Sequence, residues 1–486
     1  MLKKIKSFLL ENKNLKQTVL KNTFWLGFGN IAGRLIRAII IIYAARILGT
    51  EGYGVFSYAL SLAMLFTIAT DLGINGILTR ETAKKPEEKN QYFSTALIIK
   101  LILIILNIAL IMALVPLITT IKEVLVIMPV IIFLIIFDTI REFGFAFFRA
   151  LEKMEIEAGI FILTNIAISF LGITALLISK NTLALSISYT IGSGIGTATT
   201  IWILRNQFKN LFKNFSKKLI VPILNAAWPF AMLGFLAAVM VNIDTIMVGA
   251  LKTAHDVGLY AAAQKPIQLL YVPASLLATS FFPVFSKLTG MPDKTKMKTA
   301  IEKALTASFL MAIPMTIGGV ILSKELINFL FGAEYGSSVL TLQILILTVI
   351  FVYPGTIIGN IIFAHNKQKI FIGSVAIGAG GNTILNFLLI PIYGIAGAAI
   401  ATLIIQIINN SFLWLMTKKI NDFHVLKKLV KIIIAALMMG ILTIVLKIIG
   451  VNFLINIALS AIFYLGTLYY VKEELIIYVK GIIKFN

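Results

Sequence analysis

The chain has 486 residues, 59% of them hydrophobic and 13% charged, with a mean hydropathy of +0.96. Soluble domains carry about 25% charged residues, so a soluble enzyme is excluded and an integral membrane protein is expected. The absence of Cys removes disulfides, thiolate-bound zinc and thiol nucleophiles, and three scattered His (His255, His365, His424) make no His-rich metal site.

The formal charge of +22 comes from 43 Lys and Arg against 21 Asp and Glu. In a soluble chain this excess would point to nucleic acid. Here cytoplasmic loops account for it, and no nucleic-acid partner is expected. Residues 1–21 hold six Lys and read as an amphipathic helix on the inner membrane surface, with no small-residue cleavage site after it.

A spanning helix takes about 20 mostly apolar residues. That window places fourteen spans, at 24–48, 53–79, 93–118, 124–148, 156–179, 182–204, 225–250, 257–285, 300–322, 338–364, 370–390, 394–417, 428–449 and 451–471. Runs such as Leu97–Leu110 do not alternate apolar and polar residues, so the fold class is all-α and polytopic rather than a β-barrel. With the N-terminus inside, cytoplasmic connections and termini collect 32 of the 43 basic residues, and outer connections hold five: Lys122, Lys180, Lys252, Lys324 and Lys447. This asymmetry predicts both termini on the cytoplasmic side of the cell membrane.

The spans repeat. Trp25 aligns with Trp228, Gly54-Val55-Phe56 with Gly258-Leu259-Tyr260, and Phe148–Lys153 with Ile362–Lys367. Six spans per repeat give two halves of the same direction, forming a two-lobed bundle of the alternating-access type. The expected parts are an N-lobe (22–204), a cytoplasmic linker (205–224), a C-lobe (225–417), and two more helices with a cytoplasmic tail (418–486).

An ionisable residue at a span centre costs roughly 2.5–3.5 kcal/mol on insertion scales, so it needs a partner or a cavity. Arg34, Arg37, Asp71, Lys100, Asp138, Arg141 and Glu142 fall near one layer of the first half, with Arg46 at the outer mouth. Asp138, Arg141 and Glu142 share one helix face and read either as a neutralised lock or as cavity charges. Lys100 reads as a snorkelling side chain near the interface. Arg34 and Arg37 fit phosphate oxygens better than packing alone. Lys265, followed by Pro266 and Pro273, predicts a broken eighth span lining a cavity. In the second half Asp244, Asn382, Asn386 and Thr402 lie at similar depth, either as oxygen ligands for Na⁺ or as interhelical hydrogen-bonding groups. The Gly192-Ser193-Gly194-Ile195-Gly196 run sits within a span and reads as close helix packing rather than a phosphate loop.

Ala45-Arg46-Ile47-Leu48-Gly49, then Gly52-Tyr53-Gly54-Val55-Phe56-Ser57-Tyr58 and Asp71-Leu72-Gly73-Ile74, resemble the first two helices of the polysaccharide flippase branch of the MATE-like (MOP) superfamily. The resemblance implies a V-shaped twelve-helix core with two extra helices, carrying oligosaccharides on polyprenyl or dolichyl phosphates. Related lipid II flippases have an Arg at the position of Arg34; a further family Arg falls at Ile40, which shifts the expected contact to Arg37. The resemblance assigns Na⁺ to Asp244, Asn382, Asn386 and Thr402. Asn386 replaces an acid there, so Na⁺, H⁺ and the membrane potential all stay open as coupling modes.

The expected function is therefore inward-to-outward flipping of a lipid-linked oligosaccharide. Arg34, Arg37, Arg46, Arg141 and Lys265 would hold its anion, and no catalytic residue is expected. The expected protein is a monomer among membrane lipids, working beside glycosyltransferases. The rivals are a multidrug antiporter of the same fold, which would favour aromatic and acidic cavity residues, and a membrane enzyme, which would need a sizeable outer loop.

Overall fold

The computed structural model describes residue 11 and residues 14–291 and 294–475. Residues 1–10, 12–13 and 476–486, which hold most of the expected surface helix and the end of the tail, lie outside the described residues. The described part of that predicted segment does not lie apart. Asn14 caps helix α1 (Leu15–Asp71) by accepting from the Gln17 amide at 2.9 Å, and the helix runs on into the first span. Lys21, expected at the lipid surface, is buried and pairs with Glu155 at 2.9 Å.

The 57 residues of α1 would reach about 86 Å if straight, far beyond the ~30 Å hydrocarbon core. Gly49 breaks the helix at φ 66°, a conformation that suits a residue without a Cβ. The first two predicted spans are the two arms. The second arm stops earlier than predicted. Leu72 (φ 42°) and Gly73 (φ 80°) interrupt it before α2 (Ile74–Lys84). A side chain on Gly73 would strike the Ala227 carbonyl and stand 2.7 Å from the Ala231 amide, so this break fits against a later helix.

There follow α3 (Lys89–Ile118), α4 (Lys122–Ala150), α5 (Met154–Ile178), α6 (Thr182–Ile203) and α7 (Ile220–Leu251). Next come α8 (Ala254–Thr289), α9 (Lys294–Ile321), α10 (Ser323–Leu330), α11 (Ser338–Leu347) and α12 (Val349–Ala364). The chain ends in α13 (Gln368–Ile420), α14 (Val430–Ile448) and α15 (Phe453–Tyr470). Predicted spans eleven and twelve are one element, α13, turned at Gly394 (φ 58°) three residues after Pro391. The expected break in span eight is absent: α8 stays helical through Pro266, Pro273 and Pro283. Among the described residues, ten helices are long and apolar enough to cross a membrane. The chain is thus a multi-pass helical membrane protein, and its many exposed Leu, Ile and Phe face a medium as apolar as themselves.

Two compact units divide it, Met1–Gly258 and Leu259–Asn486. The first has an aromatic centre where Phe93 meets Phe143, Phe147 and Phe208 at 4.8–5.5 Å between rings. Its α6 is rich in Ser, Thr and Gly because it packs inside the bundle. A side chain on Gly192 would stand 2.6 Å from Ile168, and one on Gly196 would collide with Thr164. The glycine run is therefore a packing surface, as expected. At the other end of the unit, α1 and the start of α8 touch through the glycines Gly54 and Gly258. A Cβ on Gly54 would sit 2.8 Å from the Gly258 amide, and one on Gly258 would sit 2.8 Å from the Thr50 carbonyl carbon. His255 and Thr50 hydrogen-bond beside them at 2.7 Å.

In the second unit, α9, α12 and α14 enclose Ile301, Leu305, Ile357, Ile361 and Ile432. A buried Asn456–Thr443–Ser460 network joins α14 to α15, with bonds of 2.8–3.1 Å. Lys447 reaches Glu325 at 3.0 Å and ties α14 to α10.

Candidate functional site

Site geometry begins with how α1 meets α5. Gly29 and Gly33 let the two backbones approach; a Cβ on Gly29 would lie 2.7 Å from that of Ala158, and one on Gly33 would run into Phe161. Next to this seam the exposed Asn30 and Arg34, with the half-buried Arg37, stand at i, i+4 and i+7 and so share one helix face. Arg37 is held in place: its Nε donates to Asn165 Oδ1 at 2.8 Å, and the fully buried Asn165 donates to the Phe161 carbonyl at 2.7 Å. Arg34 is exposed and makes no hydrogen bond or ion pair with any described residue. Arg46, also exposed, stands three turns further along the same arm.

The other deep charges pair off. Lys100, which the sequence places near the interface, is 1% exposed and donates to Asp71 Oδ1 and Asn75 Oδ1, both at 2.7 Å. Arg141, expected to touch substrate, is 3% exposed. Its Nη1 lies 2.7 Å from Asp138 Oδ1 and 2.8 Å from Ser193 Oγ, while Ser193 also donates to Asp138. On this three-residue face of α4 Arg141 pairs with Asp138, while Glu142 stands 3.8 Å off with its side chain 41% exposed. Arg141 points into the bundle, because Asp138 one turn away and Ser193 on α6 satisfy it there. Arg149 grips Glu157 through two nitrogens, Nε at 2.8 Å. Of the partners, Asn75 is legible as the residue four on from Asp71. Asn165 and Ser193 carried no sequence signal beyond being polar within a span.

Lys265 is half-buried on α8, with Gln268 at 3.4 Å. Asp244 is buried on α7 in the first unit. Asn382 and Asn386 are buried one turn apart on α13 in the second, with Thr402 half-buried further along it. Among the described residues no three His, Cys, Asp or Glu come together as metal ligands.

The family described as "Polysaccharide biosynthesis protein" matches residues 19–289, and MatE matches residues 229–392. The "Probable low-salt glycan biosynthesis flippase Agl15" of Haloferax volcanii is 26% identical, covering 80% of this chain and 81% of its own. The "Putative O-antigen transporter" of Shigella flexneri is 24% identical over 84% of this chain and 100% of its own. A lipid II flippase MurJ structure in an inward closed conformation is similar with a TM-score of 0.74 at 20% identity, covering 92% of this chain and 99% of that one. An inward-facing multidrug resistance MATE transporter of the MOP superfamily gives 0.66 at 15% identity, over 79% and 94%. The chain therefore shares the fold of these two transporters. The match to residues 19–289, more than half of the sequence, makes the chain a member of the polysaccharide biosynthesis protein family.

Proposed function

We propose that the chain is a flippase that moves an oligosaccharide linked to polyprenyl or dolichyl (pyro)phosphate from the inner to the outer leaflet by alternating access. The observation that carries this reading is Arg34: a guanidinium within the first predicted span, exposed and without an ion pair among the described residues, in a unit where Lys100 and Arg141 are each paired with a carboxylate. Such a group is costly in lipid and its planar fork suits phosphate oxygens. Several relatives are named as glycan flippases or O-antigen transporters, which supports the substrate class.

In this mechanism Arg34 takes the phosphate first, and Arg37, oriented by Asn165, takes a second oxygen. Arg46 hands the anion on towards the outer mouth, and Lys265 is the basic contact proposed in the second unit. The lipid tail stays in the bilayer. The basic connections face the cytoplasm of the cell membrane, and the protein works as a monomer supplied by glycosyltransferases. A cation, for which Asp244 in the first unit and Asn382, Asn386 and Thr402 in the second are the proposed oxygen ligands by residue type, or the membrane potential acting on moving charge, supplies the driving force.

Arg34→Ala tests the reading. It should abolish glycan export in a complementation assay at normal protein levels, with partial rescue by Arg34→Lys. Full activity of the Ala variant removes the phosphate contact. Asp244→Asn should lower Na⁺-stimulated flipping; sodium-independent flipping unchanged by this substitution removes the cation. The MatE match over residues 229–392 favours one rival, a multidrug antiporter. Drug resistance conferred by the intact chain, with no effect on glycan, would select it.

A further inference from the structure

Two cavities at the end of the first unit where α1 begins belong to none of the roles above. One, of about 110 Å³, is lined by Trp25, Asn30, Glu142, Arg149 and Glu157 among others. The second, of about 620 Å³, lies within the size range of ligand pockets. Its lining includes Asn22, Thr82, Lys89, Arg149 and Glu152. Leu26 and Arg149 belong to both, so the two adjoin.

The chemistry of this lining differs from that around Arg34. Three carboxylates face two cations, which disfavours a phosphate or an anionic lipid headgroup. The walls instead mix acceptors, donors, amides and an indole. Saccharide hydroxyls, which each donate and accept, match carboxylate, guanidinium and amide groups together, and a sugar ring's apolar face packs on an aromatic one. Asn22 and Thr82, 8% and 2% exposed, add an amide and a hydroxyl to the wall of the larger cavity.

The spacing along α1 agrees. Asn30 precedes Arg34 by one turn, about 6 Å of helix rise. A glycosyl phosphate sets its sugar ring and phosphorus only one bridging oxygen apart, so a phosphate at Arg34 brings the first sugar beside Asn30.

We propose that these adjoining cavities form a saccharide-binding subsite that reads the sugars next to the phosphate, with Trp25, Asn30 and Arg149 as its principal contacts. The subsite rests on the flippase reading. Arg149 is positioned there by its bidentate pairing with Glu157, which leaves the rest of the guanidinium edge for hydroxyls.

The test uses the full chain in phosphatidylglycerol-containing nanodiscs and two probes. One is lipid-linked oligosaccharide extracted from the source cells; the other is glycan-free polyprenyl phosphate. The wild type should bind the glycan-bearing lipid more tightly. Asn30→Ala and Trp25→Ala should each weaken that binding ~10-fold and leave glycan-free binding unchanged, with Arg34→Ala weakening both. Asn30 is exposed, so its variant folds; an unchanged thermal midpoint verifies this, and Trp25→Phe serves where Trp25→Ala does not fold. Equal loss of both probes, no loss of either, or displacement of the glycan by added phosphatidylglycerol overturns the saccharide subsite while leaving the flippase standing. Failure of the wild type to bind either probe overturns the flippase reading itself and the subsite with it.

Discussion

Replacing Lys100 by Met isolates one deep charge pair of the first unit. The ammonium is 1% exposed, has two 2.7 Å bonds to Asp71 and Asn75, and lies 5.6 Å from the Phe143 ring centroid. Methionine keeps most of the stem and removes the charge. Breaking a fully buried ion pair costs about 3–5 kcal/mol, chiefly because one charge is stranded. The Asp71 side chain is 31% exposed, so water screens part of that cost, and a loss of about 2–3 kcal/mol is expected. For a unit of this size each kcal/mol moves the thermal midpoint by ~2–4 °C, giving a drop of ~4–12 °C. Thermal unfolding in detergent, followed by tryptophan fluorescence, reads it. The double variant Lys100→Met with Asp71→Asn should regain at least half of the drop, since no charge is then left alone. A single variant as stable as wild type, or a double variant no better than the single, refutes the account of Lys100 as a structural lock. Flipping by the double variant at permissive temperature should remain near normal.

The contact between Gly54 and Gly258 leaves no room for a methyl group on either side. Gly54→Ala and Gly258→Ala should therefore each cut the yield of folded protein several-fold, whereas Gly290→Ala, where the space is open, should not; size-exclusion profiles compare them. Arg141 is expected to act inside the bundle, so Arg141→Met with Asp138→Asn should retain most glycan export while Arg34→Ala loses it, measured in one complementation assay. Glu157→Gln removes the carboxylate that holds Arg149, and should lower the thermal midpoint by several degrees.

Much of this protein follows from sequence because a bilayer constrains backbone so severely. Every N–H and C=O must be satisfied within the segment, so an apolar run of about 20 residues specifies a helix wherever it occurs. Predicted spans three to five and seven to nine each fall on one helix for that reason. Gly49 and Gly394 mark turns between arms that hydropathy alone could separate, although the helical hydrogen bonding carries on close to them. Hydropathy could not show the stop at Leu72 and Gly73, which depends on the fit against Ala227 and Phe230.

The residue types near the middle of the spans also followed from sequence, and so did their cost. Which of them find partners did not. Asp71 and Lys100 are 29 positions apart, and Arg141 and Ser193 are 52 apart; helix period says nothing about who meets across a bundle. Tertiary packing decides that Arg141 is neutralised, that Lys100 is a lock, and that Arg34, alongside the Gly29–Gly33 seam, is left exposed. Helix existence is set by local solvation, and the fate of each charge by which helix lies opposite.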